Sequence, residues 1–279
     1  MSDFPEELRF HSPSPLVDIG ANLTHSSFQK EMDAVLKRSY SAGVTSLILT
    51  GTDQTSIEAS IELLQRYKGA EHLPRLYATA GVHPHSAREW TAETAQLVKH
   101  AVQEADVVAL GECGLDFNRN YTPRDIQQKV FEAQLELAAE THMPLFLHER
   151  DAAPLMLDML HSWRDDITNA VIHCFTGDKQ TLHRYLDLDL YIGVTGWLCD
   201  ERRGQTLREA AMDIPDNRLM IETDCPYLLP RDLPAKAPGR RNEPSFLPWI
   251  CQELASLRGV SEQSLAEATT ESATRFFSL

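Results

Sequence analysis

Gly111-Glu112-Cys113-Gly114-Leu115-Asp116 follows the apolar run Val107-Val108-Ala109-Leu110 and precedes a polar segment from Phe117 to Tyr121. That order reads as a buried strand, Val107 to Gly111, that delivers the carboxylate of Glu112 to its C-terminal end between two glycines. A carboxylate there is unfavourable unless a cation or a proton compensates it. Three further apolar runs end the same way. Pro144 to Leu147 runs into His148, Ala170 to Ile172 into His173, and Leu219 to Thr223 into Asp224. One buried acid carries little information, but four metal-type side chains closing four different strands point to a metal-dependent hydrolase.

Working outward, strand and helix patterns alternate along the whole chain. Leu16 to Leu23 is expected as the first strand, carrying Asp18, Gly20 and Asn22. A helix is expected from about His25, with Phe28, Met32, Val35, Leu36 and Tyr40 on one face and Gly43 at its end. Asp53 is placed to cap the second helix, and Ser86 with Glu89 reads as a capping box opening the third. Strands at Thr45–Thr50, Leu76–Val82 and Tyr191–Thr195 complete a set of eight, interleaved with helices. This alternation predicts an α/β fold, a single (β/α)8 TIM barrel. A doubly wound open sheet would need a nucleotide loop after the first strand, and Asp18-Ile19-Gly20-Ala21-Asn22 is not one. The expected organisation is a mobile lead-in over residues 1–15 and one barrel domain over residues 16–279.

Composition sets outer bounds. The chain has 279 residues, 42% hydrophobic and 24% charged, enough for one large core. No apolar run reaches the ~18 residues of a membrane-spanning helix, so no membrane association is expected. The five cysteines are scattered and odd in number, without CxxC, which fits reduced thiols in the cytoplasm. Cys113, Cys174 and Cys225 neighbour the proposed site residues but read as small packing residues. A formal charge of −15 argues against coating nucleic acid by general electrostatic attraction. It leaves room for a nuclease, in which a cation and a few local arginines hold phosphate.

Side chains at the C-terminal ends of barrel strands converge although they are far apart in sequence. Glu112, His148, His173 and Asp224 are therefore expected to surround a divalent cation, with Asp18 shaping a weaker neighbouring site. Mixed carboxylate and imidazole donors suit Zn²⁺ or Mn²⁺, and Mg²⁺ where oxygen dominates. Glu112 and Asp224 are the candidate catalytic carboxylates, Asp224 the expected general base. His83 and His85, in Gly81-Val82-His83-Pro84-His85, are assigned to substrate phosphate. So are Arg202 and Arg203 after the seventh strand and Arg241 after the eighth, with Trp197 and Tyr227 available to stack bases.

Together these segments resemble the TatD family of metal-dependent deoxyribonucleases, among the amidohydrolase-like barrels. The resemblance runs from about Val17 to Phe277. It is carried by Gly81–His85, Gly111–Asp116, His148-Glu149-Arg150-Asp151, His173-Cys174-Phe175-Thr176-Gly177, Ile221–Tyr227, Arg240–Pro244 and Thr269–Phe277. It implies phosphodiester hydrolysis, typically 3′ to 5′ on single-stranded DNA or RNA and dependent on Mg²⁺, by a monomer with one or two cations per chain. Most family members open with Asp-x-His-x-His, whereas Gly20 and Asn22 stand at the two histidine positions here, which implies unequal metal sites. The alternative is a metal-dependent amidohydrolase acting on a small cyclic amide or ester. Such enzymes often carry a carbamylated lysine on a middle strand, and no strand here ends in Lys.

Overall fold

The computed structural model describes residues 4–279. Eight strands form one parallel sheet in sequence order: β1 (Leu16–Ala21), β2 (Val44–Leu49), β3 (Arg75–Ala80), β4 (Val107–Asp116), β5 (Leu145–Arg150), β6 (Ala170–Ile172), β7 (Tyr191–Val194) and β8 (Leu219–Ile221). Six helices fill the connections up to β7: α1 (Met32–Ser41), α2 (Gln54–Tyr67), α3 (Ala92–Ala101), α4 (Arg124–Thr141), α5 (Ala153–Ser162) and α6 (Lys179–Asp187). α7 (Gln205–Ala211) precedes β8, and α8 (Leu247–Arg258) and α9 (Glu262–Phe277) close the chain. This is the expected barrel of the (β/α)8 type.

The interior is filled by alternate strand residues, among them Val17, Ile19, Tyr77, Phe146, Tyr191 and Met220. The last turn of α9 plugs this core, with Phe276 packed edge-on to Tyr191 at 5.0 Å between ring centres. The barrel closes differently between β1 and β8, where a single bridge, Ala21 to Cys225, replaces a ladder. Side chains take over there. The Asp18 carboxylate accepts from the Thr223 amide at 2.9 Å and the Thr223 hydroxyl at 2.6 Å. A group expected near a metal thus acts as the clasp of the barrel.

Local differences from the sequence reading have physical causes. β4 does not end at Gly111 but runs on to Asp116, pairing with β5 as far as Arg150. Gly111 and Gly114 make this extension possible. Both sit in the left-handed half of backbone space, at φ 142° and 140°, with neighbouring carbonyls where a Cβ would stand. The first helix begins at Met32 rather than His25, because Ser26–Phe28 forms a 3-10 turn capped by the His25 ring. α3 is capped by Thr91, not Ser86, since Pro84–Glu89 is itself a 3-10 turn. Asp53 does cap α2, accepting from the Ser56 amide at 2.8 Å. Residues 4–15, expected to be mobile, pack onto the barrel: Leu8 is fully buried and Phe10 lies 5.1 Å from the Trp249 ring. Their apolar side chains find a cluster with Phe246 that outweighs the polar neighbours.

Candidate active site

The register between β4 and β5 slips between Gly111 and Cys113, so Glu112 is the extra residue of a bulge. Bulges re-aim side chains beside functional sites. Here the Glu112 amide leaves the ladder to donate to Gly51 at 2.7 Å, and the side chain turns into the barrel mouth. Three imidazoles converge on its Oε1: His173 Nε2 at 2.8 Å, His148 Nδ1 at 2.9 Å and His83 Nε2 at 3.3 Å. Burial opposes the Glu112 charge, but the charge of His173 and the hydrogen bonds from His148 and His173 outweigh it. The carboxyl stays well below the usual range.

Two of the rings also face a second carboxylate. His173 Nδ1 lies 3.2 Å from Glu222 Oε2, and Glu222 also accepts from the Cys174 amide at 2.5 Å. His148 Nε2 is 3.4 Å from Asp116, a buried nitrogen without a well-formed hydrogen bond. Burial favours neutral rings, yet the flanking carboxylates hold His173 well above its ordinary pKa and raise that of His148. Protons thus occupy positions in which a cation would serve the same carboxylates. With Nδ1–H turned to Glu222, His173 would offer Nε2 to a cation that displaces its proton, the usual arrangement of a metal-ligating histidine. The orphaned His148 nitrogen and the buried Glu112 charge fit the same group.

His83, Glu112 and His148 also offer donor atoms within 4.8 Å of one another. His83 is the weaker donor to a cation. Its Nδ1 accepts from the His85 amide at 3.0 Å, which places the proton of the neutral ring on Nε2. Burial, only partly offset by Glu112, pushes its pKa down to about 4, so the ring is an N–H donor.

Asp224 lines the same cleft with Asn22, Thr52, Ser86 and Tyr227, around a volume of about 370 Å³. Asn22 Nδ2 donates to its Oδ1 at 2.9 Å. Burial, opposed by His173 and reinforced by Glu112 and Glu222, raises the Asp224 carboxyl to about 7. His85 reaches the cleft too, its Nε2 2.6 Å from Asp116 Oδ2. The role of Asp116 was not read from the sequence, although it closes the stretch that decides the fold. Burial pushes its pKa up, but the nearby His148 ring and the hydrogen bond from His85 hold it well below the carboxylate range.

Other expected residues lie elsewhere. Asp18 is fully buried beneath the cleft, engaged by Thr223. Arg241 turns away toward Glu31 and Glu243 and lies over the Phe28 ring, because the buried Glu243 carboxylate draws both Arg241 and Arg38. Arg203 is tied to Asp200 through Nε at 2.9 Å and Nη2 at 2.8 Å, and Arg202 is exposed beside it.

A parallel barrel with imidazoles and carboxylates gathered at the C-terminal strand ends is the architecture of the metal-dependent hydrolases. Residues 17–278 match the model of the TatD-related DNases, and the chain belongs to that family. A protein of Citrobacter rodentium named 3′-5′ ssDNA/RNA exonuclease TatD is 49% identical over 264 residues, covering 95% of this chain and 98% of that relative. A protein of the same name from Salmonella typhimurium is 45% identical over 262 residues, covering 94% and 98%. Among solved structures, the TatD homolog YJJV of Escherichia coli superposes with a TM-score of 0.84 at 26% identity, covering 98% of this chain and 99% of that one. The chain is accordingly a metal-dependent hydrolase of the nuclease type. No helix of the described residues is long and apolar enough to cross a membrane.

Proposed function

We propose that this chain is a cytoplasmic, monomeric 3′-5′ exonuclease that acts on single-stranded DNA and RNA with one or two divalent cations, Mg²⁺ or, with these imidazole donors, Mn²⁺ or Zn²⁺. The observation that carries the reading is the convergence of His148 and His173 on the bulged Glu112, in a chain 49% identical to a relative of that name. Glu112, His148 and His173 would hold the cation. When bound, it would polarise the phosphoryl oxygens and lower the pKa of water toward neutrality.

The remaining steps belong to the chain's own groups. Asp224, its carboxyl near 7, takes a proton from the water that attacks phosphorus. His83 donates its Nε2–H to a non-bridging phosphate oxygen, and Glu222 fixes the His173 ring. A volume of about 370 Å³ lies at the small end of the ~300–1,000 Å³ of ligand sites and admits about one nucleotide. That supports removal of single terminal residues. The five cysteines are unpaired, in keeping with a reducing compartment.

The test uses single-stranded oligonucleotides labelled at the 5′ end. A ladder shortening one nucleotide at a time is expected with Mg²⁺ or Mn²⁺. A burst of internal fragments would overturn the exonuclease reading, and turnover of a dihydropyrimidine without DNA cleavage would favour the amidohydrolase.

A further inference from the structure

Arg150 ends β5 two residues after His148, on the same side of the strand. Its side chain crosses the mouths of β6 and β7: Nη1 donates to the Thr176 hydroxyl at 2.6 Å, and the guanidinium lies 5.1 Å from the Trp197 ring centre. It is close enough to Cys174, which lines the cleft, to act electrostatically on that thiol. Arg150 is partly buried, yet among the described residues no carboxylate pairs with it. Of the other arginines expected at this mouth, Arg203 shares the Trp197 ring at 4.4 Å but is held by Asp200, Arg241 is held by Glu31 and Glu243, and Arg202 is exposed. A half-buried guanidinium fixed by a hydroxyl and an aromatic face, without a counter-charge, is a preformed anion site. In a chain of net charge −15, such a cation beside the cleft is a selective feature.

We infer that Arg150, held in place by Thr176 and Trp197, binds the phosphate one nucleotide 5′ of the bond being cut. This rests on the nuclease reading and extends it. The cleft takes the terminal nucleotide and the scissile phosphate, and Arg150 stands just outside the residues that line it, where the departing strand crosses the rim. A guanidinium matches a phosphodiester's two free oxygens in a planar fork, which an ammonium cannot reproduce.

The experiment compares a thymidine dinucleotide, which has one phosphodiester, with the trinucleotide, which adds the neighbouring one. For the wild type, kcat/KM is expected to favour the trinucleotide, and a neutral methylphosphonate at its 5′ linkage should remove the preference. Arg150→Met should lower the trinucleotide-to-dinucleotide ratio about tenfold, chiefly through KM, the scale of one charge-assisted hydrogen bond. Arg150→Lys should recover part of it. Trp197→Leu, which removes the ring beneath the guanidinium, should lower the ratio in the same direction. In chelator, Arg150→Met should also weaken binding of a fluorescent thymidine decamer about tenfold. An unchanged ratio in a folded Arg150→Met, whether both substrates suffer equally or neither does, would overturn the assignment. Failure of the wild type to cut either substrate would instead remove the nuclease reading, and this inference with it.

Discussion

Asp18→Ala separates a clasp from a ligand. The Asp18 carboxylate accepts from the Thr223 amide at 2.9 Å, the Thr223 hydroxyl at 2.6 Å and the Gly20 amide at 3.3 Å. A buried donor left without a partner costs about 1–3 kcal/mol. The long Gly20 contact counts for little, so two donors set a cost of about 4 kcal/mol. That is a large part of the ~5–15 kcal/mol that holds a domain folded. With a urea slope of about 3 kcal/mol/M, the midpoint of the metal-free protein should fall by about 1 M. Urea titration followed by circular dichroism, with chelator present, measures it.

The pH dependence has a definite sign. Burial, outweighing the hydrogen bonds from Thr223, raises the Asp18 carboxyl from 3.8 to about 7. The folded state therefore holds this proton more tightly than the unfolded chain. The resulting stabilisation is complete below pH 3.8 and is lost as pH rises through about 7. Asp18→Asn should lack that decline. An unchanged urea midpoint in metal-free Asp18→Ala, together with loss of cation binding, would refute the clasp and make Asp18 a ligand.

Other substitutions follow from single contacts. Gly114→Ala puts a Cβ 2.0 Å from the His148 carbonyl at a φ of 140°, and should cost about 1–3 kcal/mol in thermal or urea unfolding while lowering turnover by displacing His148. Arg38→Met leaves the buried Glu243 carboxylate with one cation, Arg241 at 3.5 Å, beside the Ser245 hydroxyl. Breaking a buried pair costs about 3–5 kcal/mol, and since Arg38 is a quarter exposed, a loss of about 2 kcal/mol in urea unfolding is expected, with kcat near wild type. Asp116→Asn weakens the hold on both His85 and His148 and should lower cation affinity about 10–100-fold by titration calorimetry, with the fold retained.

The barrel was legible because each strand is an apolar run closed by a polar residue, a pattern set by burial on both faces. The same rule placed Glu112, His148, His173 and Asp224 together. The parts that were not legible depend on partners far away in the chain. Nothing near Asp18 announces that Thr223, 205 positions on, supplies its hydrogen bonds. Arg241 and Arg203 read as free cations until Glu31, Glu243 and Asp200 are seen beside them. Gly111 and Gly114 resemble a strand's end, because glycine gives the same signal for a stop and for a bulge. Gly20 illustrates a further coupling. A Cβ there would lie 2.3 Å from Glu222 Oε2, so a histidine at this position would displace the carboxylate that orients His173.

Glu112, with His148 and His173, is proposed to hold a divalent cation on which hydrolysis of a single strand from its 3′ end depends. This role is tested most directly by following release of a 3′-terminal nucleotide from a single-stranded oligonucleotide, in chelator and after cation add-back, for wild type and Glu112→Gln. Removing the charge on which three imidazoles converge should lower kcat/KM at least about 100-fold, about 2.7 kcal/mol of transition-state stabilisation. No release is expected in chelator, recovery is expected with Mg²⁺ or Mn²⁺, and that deficit is expected in a folded Glu112→Gln. Undiminished release in excess chelator, or near-wild-type turnover by Glu112→Gln, would contradict this role.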